Sequence, residues 1–160
     1  MEVAPQFDRR AVTYRTGPHS FERDPYAVLA ASPRELVTTV LRATLVNADF
    51  VREVVELGGP VAPEILVEAY VSDLEGDFTA PDRPVAAVAV ELVVLVVPPA
   101  PDPVHSVMRK AYLRRLPVPD KTAAAVVSGW NEGLTSILEE FLADLRAVIP
   151  PAAEGAKTAK

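Results

Sequence analysis

The chain has 160 residues, 49% of them hydrophobic and 24% charged, which suits one globular domain able to bury about two-thirds of its unfolded surface. A net charge of −6 disfavours nucleic acid, whose phosphates need a basic footprint, and the absence of Cys excludes disulfides, zinc–thiolate sites and thiol catalysis. No secretory apolar segment and no apolar run of about 18 residues is present, so nothing in the chain reads as a leader or a membrane-crossing helix.

Residues 1–10 are polar and are expected to be a flexible, extended segment. "AVTYRT" (11–16) alternates as a strand, and Gly17-Pro18 signals a turn. Residues 19–30 read as a second extended segment, interrupted at Asp24-Pro25. A helix then opens with Ser32 as N-cap, Pro33 at the first helical position and Glu35 completing a capping box. Leu36, Val37, Val40, Leu41 and Leu45 share its apolar face, and it should end near Asn47 or Ala48. "FVREVVEL" (50–57) is a strand candidate stopped by Gly58-Gly59-Pro60. Residues 64–78 form a longer strand, with Ile65, Val67, Ala69 and Val71 on one face and Glu68, Tyr70 and Ser72 on the other. The alternation breaks at Asp73-Leu74, which predicts a bulge or bend there.

"TAPDRP" makes a turn, and the Val-rich run 85–97 returns as a buried antiparallel strand. After the Pro-rich loop "PPAPDPVH", residues 107–116 alternate as a half-exposed strand. Met108, Tyr112 and Leu116 share one face of it with Lys110 and Arg114, and Arg109 and Arg115 lie on the other. The last element is an amphipathic helix of roughly seven turns, whose stripe is Val127, Trp130, Leu134, Ile137, Leu138, Phe141, Leu145 and Val148. Gly129 and Gly133 share a face and are expected to let that helix approach a sheet closely. The tail 150–160 lacks bulky apolar residues and is expected to be disordered. The order β-β-α-β-β-β-β-α predicts an α+β, two-layer domain over 11–149, a mainly antiparallel sheet with two helices packed on it.

No residue set carries an evident chemistry. His19 and His105 sit among turn and loop residues without a nucleophile-elbow or triad signature. Asp73, Glu75 and Asp77 at spacing two would suit a cation such as calcium, yet the EF-hand frame is missing and a solvated acidic strand end is the simpler reading. There is no glycine-rich phosphate loop. No catalytic, metal or cofactor residues are therefore assigned. The basic cluster Arg109, Lys110, Arg114 and Arg115 suits an acidic partner or lipid headgroups, or else pairs with carboxylates of the chain itself. With Tyr14, Arg15, Phe21 and Tyr26 it makes up the candidate partner surface.

Three stretches resemble a known family, the ABC-type transport auxiliary lipoproteins (PqiC-like proteins). In "VTYRTGPHSFERDPYAVLAASPRELVTTVLR", Tyr14-Arg15, Phe21, Tyr26 and Pro33-x-Glu35-Leu36 stand where the family has its strand, aromatic segment and helix opening. "VEAYVSDLEGDF" (67–78) and "AVVSGWNEGLTSILEEFLADL" (125–145) are similar to its central strand and C-terminal helix. The likeness covers about residues 8–149. It implies a non-catalytic periplasmic protein, lipid-anchored to the outer membrane through a Cys absent from this chain. It also implies an MCE-domain partner in an ABC transporter of phospholipids or other hydrophobic molecules. A phospholipid and a second copy of the chain are further candidate partners, and a carrier enclosing a hydrophobic ligand is the alternative function. The opening "MEVAPQFDRR" reads as a start placed after a removed leader, and "YAVL" (26–29) stands where the family commonly has a Trp.

Overall fold

A computed structural model of the chain describes residues 1–55 and 57–149. The elements run β1 (Glu2–Val3), β2 (Ala11–Gly17), β3 (Ser20–Val28), α1 (Pro33–Val46), β4 (Ile65–Asp77), β5 (Val85–Val96), β6 (His105–Pro117) and α2 (Ala123–Val148). The strands form one sheet in the order β3-β2-β4-β5-β6. β5 is antiparallel to both β4 and β6 along its length. The other edge of β4 takes β1 at Tyr70 and Val71 and then β2 at Gly76 and Asp77, both parallel to it. The fold is α+β, with both helices packed on a mostly antiparallel sheet.

The core lies between β4–β5–β6 and α2. Val126, Ile137, Phe141 and Leu145 of α2 and Val71, Leu92 and Val94 of the sheet are almost fully buried. The two glycines of α2 set the separation of the layers. A Cβ at Gly129 would lie 2.5 Å from Ala86 Cβ, and one at Gly133 would lie 2.7 Å from Val88 Cγ1. The stripe read from the sequence is shifted at its start, where Val126 is buried and Val127 only half-buried. Trp130 turns its indole N–H onto the Glu75 carbonyl at 3.0 Å, which satisfies the one polar atom of a buried ring.

α1 begins with a complete capping box, in which the Ser32 side chain accepts from the Glu35 N–H and Glu35 answers at the Ser32 N–H. Val37 and Leu41 are buried, whereas Leu36 and Val40 of the expected apolar face are exposed. The expected break in β4 is a register shift between Val71 and Asp73, which leaves Ser72 as the extra residue. It reverses the faces, so that Leu74 and Gly76 continue the buried side.

Two expectations are corrected. Residues 1–10 are not a loose segment: Val3, Ala4 and Phe7 are buried, and the Ala4 N–H donates to the Val71 carbonyl at 2.9 Å. Residues 51–55 form no strand despite their Val content. The segment stays beside α1, where the Val54 carbonyl accepts from Arg42, and pairs with none of the described strands. The disorder expected of residues 150–160 lies outside the described residues.

Candidate functional site

Because α2 covers one face, alternate residues of the strands line the opposite, open face. On β5 these are the odd-numbered positions 85–95, and on β6 they include Arg109, Ala111, Leu113 and Arg115. On β4 they are Leu66, Glu68 and Tyr70 and, after the bulge, Asp73, Glu75 and Asp77. Among the described residues, no helix or strand covers this face. Leu113 is 53% exposed there. A shallow depression of about 310 Å³ opens on it, lined by Glu68, Tyr70, Glu91, Val93 and Arg109 with Met1 and Glu2 at its rim.

One end of the open face is polar yet closed. Glu75 and Asp77, read as a solvated acidic end, are buried, and this is a third correction. The cause is two arginines from other strands. Arg15 of β2 places its guanidinium 3.7 Å from Glu75. Arg115 of β6 reaches across β5, where the small Ala87 leaves room, and bonds to Asp77. Burial, reinforced by the neighbouring Asp73, pushes the Glu75 carboxyl above its ordinary range. Burial opposes ionisation of Asp77 too, but hydrogen bonds from Thr79 and Arg115 hold its carboxyl below that range. Among the described residues no three His, Cys, Asp or Glu gather to hold a metal ion. The calcium reading therefore finds no ligand set among them.

The basic cluster is dispersed and paired. Arg109 bonds to Glu91 at 2.6 Å on the open face. Lys110 and Arg114 point the other way, to α2. Lys110 contacts Glu140 and Asp144 at 2.9 and 2.7 Å, and Arg114 contacts Glu140 at 2.6 Å and Ser136 at 3.0 Å. Asp144 also accepts from Tyr112, whose hydroxyl is held protonated by burial and then by that hydrogen bond. These charges tie β6 to α2.

The aromatic half of the candidate surface lies at the β3 edge. Asp24 accepts from the N–H groups of Tyr26 and Ala27, each at 2.8 Å, and from the Tyr14 hydroxyl at 2.6 Å. These bonds fix an irregularity in the β2–β3 ladder, where Ala11 pairs with Val28 and Thr13 with Arg23. From it Tyr26 projects at 92% exposure, beside exposed Val28. Tyr14 is stacked on Phe78 at 4.9 Å, and burial first, then Asp24, raises its hydroxyl above the usual range. Phe21 meets Phe7 edge-on at 6.1 Å and lies 6.0 Å from the Arg15 guanidinium. The structure thus joins Tyr14 with Tyr26 and Arg15 with Phe21; Arg15 also shares the buried acidic end with Arg115, whereas Arg109, Lys110 and Arg114 make their pairs elsewhere. His19 lies in the β2–β3 turn and His105 at the start of β6, on opposite edges, so the two cannot serve one site.

No family model matches the chain, and no curated protein is similar to it. Solved structures share its fold. The crystal structure of protein XCC0632 from Xanthomonas campestris, assigned to the family DUF330, superposes with a TM-score of 0.80 at 15% identity. That match covers 92% of this chain and 80% of the other. An uncharacterised protein matches with a TM-score of 0.66 at 12% identity, over 90% of this chain and 86% of its own. At these identities the likeness is one of fold.

Proposed function

We propose that this chain is a non-catalytic auxiliary component of an MCE-type ABC transporter for phospholipids or other hydrophobic molecules, and that it docks the transport assembly at the membrane. The resemblance of residues 8–149 to the auxiliary lipoproteins supplies the biological setting: the periplasm, with an outer-membrane lipid anchor upstream of this chain. The observation that carries a docking role is the built presentation of Tyr26. Three hydrogen bonds to Asp24 hold the backbone from which an almost fully exposed aromatic projects. An aromatic side chain offers large contact area for little lost freedom, the usual character of a binding anchor.

Docking is favoured over carriage by the helix–sheet layer. A carrier would have to open space between α2 and β5, where Gly129 and Gly133 already touch Ala86 and Val88. An acyl chain there would displace packed core. The described helices include none long and apolar enough to cross a membrane.

Co-purification with an MCE-domain protein tests the reading, with solvent extracts of the same sample examined by mass spectrometry. Binding at micromolar concentration without co-extracted lipid is expected. Absence of binding at that concentration would overturn docking. Stoichiometric lipid in the extract would favour the carrier.

A further inference from the structure

The open face carries its charges and its bulk in a pattern that complements itself. Across β5, each position of β4 has a partner position on β6. Glu68 and Arg109 lie on either side of Val93, both exposed, with the Arg109 side chain 73% accessible. Tyr70, 40% exposed, lies across Glu91 from the small and exposed Ala111. Leu66 lies across Leu95 from Ser106. Acid answers base or large answers small in these three of the six rows. In the other three Asp73 lies across Ala89 from Leu113, Glu75 across Ala87 from Arg115 and Asp77 across Val85 from Pro117, and there Glu75 and Asp77 are buried and already held by arginines of their own chain.

We infer that this face binds a second copy of the chain, sheet on sheet, about a two-fold axis running along β5. Such an axis carries β4 of one copy over β6 of the other at the same height. Glu68 then meets the partner's Arg109, and Tyr70 covers its Ala111, each contact occurring twice. Val93 lies on the axis and meets its own copy, and so does Glu91, whose charge Arg109 of the same chain offsets. Arg109 keeps Glu91 within its own chain and offers its other edge to Glu68 across the interface. A partner of one charge sign would leave either β4 or β6 unmatched, which is why a copy of the same mixed face fits better.

The area sets the strength. Three strands about 4.8 Å apart and about 35 Å long give roughly 500 Å² per copy, or about 1,000 Å² in total. That is the lower limit of specific interfaces, so the dimer is weak and concentration-dependent. The long-range repulsion between two copies of charge −6 is largely screened at physiological salt. The inference stands apart from the transport reading and does not need it.

Sedimentation equilibrium of the wild type should show a monomer–dimer equilibrium. Glu68→Arg and Arg109→Glu should each raise the dissociation constant at least tenfold, and the double variant should recover most of the loss. Only a Glu68–Arg109 contact between copies predicts that recovery. Both residues are exposed, and unchanged far-UV circular dichroism and thermal midpoint would confirm that the variants fold. The chain has no Cys, so Val93→Cys gives a single reporter on the axis. Stacked sheets sit about 10 Å apart, and a bis-maleimide of that reach should link Val93→Cys into a dimer but leave Ser128→Cys, exposed on α2, unlinked. A wild type that stays monomeric at the highest attainable concentration would overturn the inference, as would a folded double variant that does not recover, or equal linking of the two cysteines.

Discussion

Glu75 is buried, has Asp73 and Asp77 as near neighbours and pairs only loosely with Arg15, so folding disfavours its charge. Its folded pKa lies above its unfolded one. It therefore contributes most stability below the ordinary glutamate range and loses that contribution as pH rises through the folded value. Glu75→Gln, neutral at every pH, should gain on the wild type as pH rises. Urea midpoints of the two proteins, taken below the ordinary glutamate range and again near neutrality, check this; a constant difference would refute it. Asp77 works in the opposite sense, since its lowered carboxyl loses stability as pH falls. Gly129 poses a steric question at the same scale. Ala there would gain about 1 kcal/mol of helix propensity but meet the fixed Ala86 Cβ at 2.5 Å, an overpacking cost of about 1–3 kcal/mol. Gly129→Ala is expected to lower the unfolding free energy, and adding Ala86→Gly should return part of the loss.

At the scale of elements, α1 depends on its cap. It buries only Pro33, Val37 and Leu41, and three threonines turn their hydroxyls back to its own carbonyls. Ser32→Ala should cost about 1 kcal/mol, and faster amide exchange confined to α1 would locate the loss. The cap was readable in sequence because it is local chemistry within four residues. The β4–β5 hairpin and the stripe of α2 were readable for the same reason, as periodicities of 2 and 3.6 within one element. β1 was not readable, because two residues with no period pair with a strand nearly seventy positions later. The strand pattern of residues 51–55 misled because strand composition forms a strand only where the chain path reaches a sheet edge, and this segment stays beside α1. Glu75 and Asp77 were legible as a carboxylate pattern but not as a buried one, since the arginines that close over them come from β2 and β6. The role of Asp24 was equally hidden: the sequence marked an interruption at Asp24-Pro25, but not the three donors that converge on it.

At the scale of the whole molecule, the surface residues divide by what they already hold. Arg114 and Lys110 fasten β6 to α2, and Arg115 closes the acidic end of the open face. Reversing Arg114 would leave Glu140 facing a like charge beside the core, so it should lower the thermal midpoint whatever it does to a partner. Tyr26 holds nothing inside the chain by its side chain. Its backbone N–H makes the bond to Asp24, and that bond survives substitution. Tyr26→Ser should therefore leave stability within about 0.5 kcal/mol of the wild type. If the β3 edge is the docking site, the same change should weaken binding of an MCE-domain partner about tenfold, the loss of one anchoring aromatic at roughly 1–2 kcal/mol. Titration of one partner against both proteins, beside thermal unfolding of each, reads the two effects separately. Unchanged affinity with unchanged stability would remove the β3 edge from the interface and leave the open sheet face as the surface to test next.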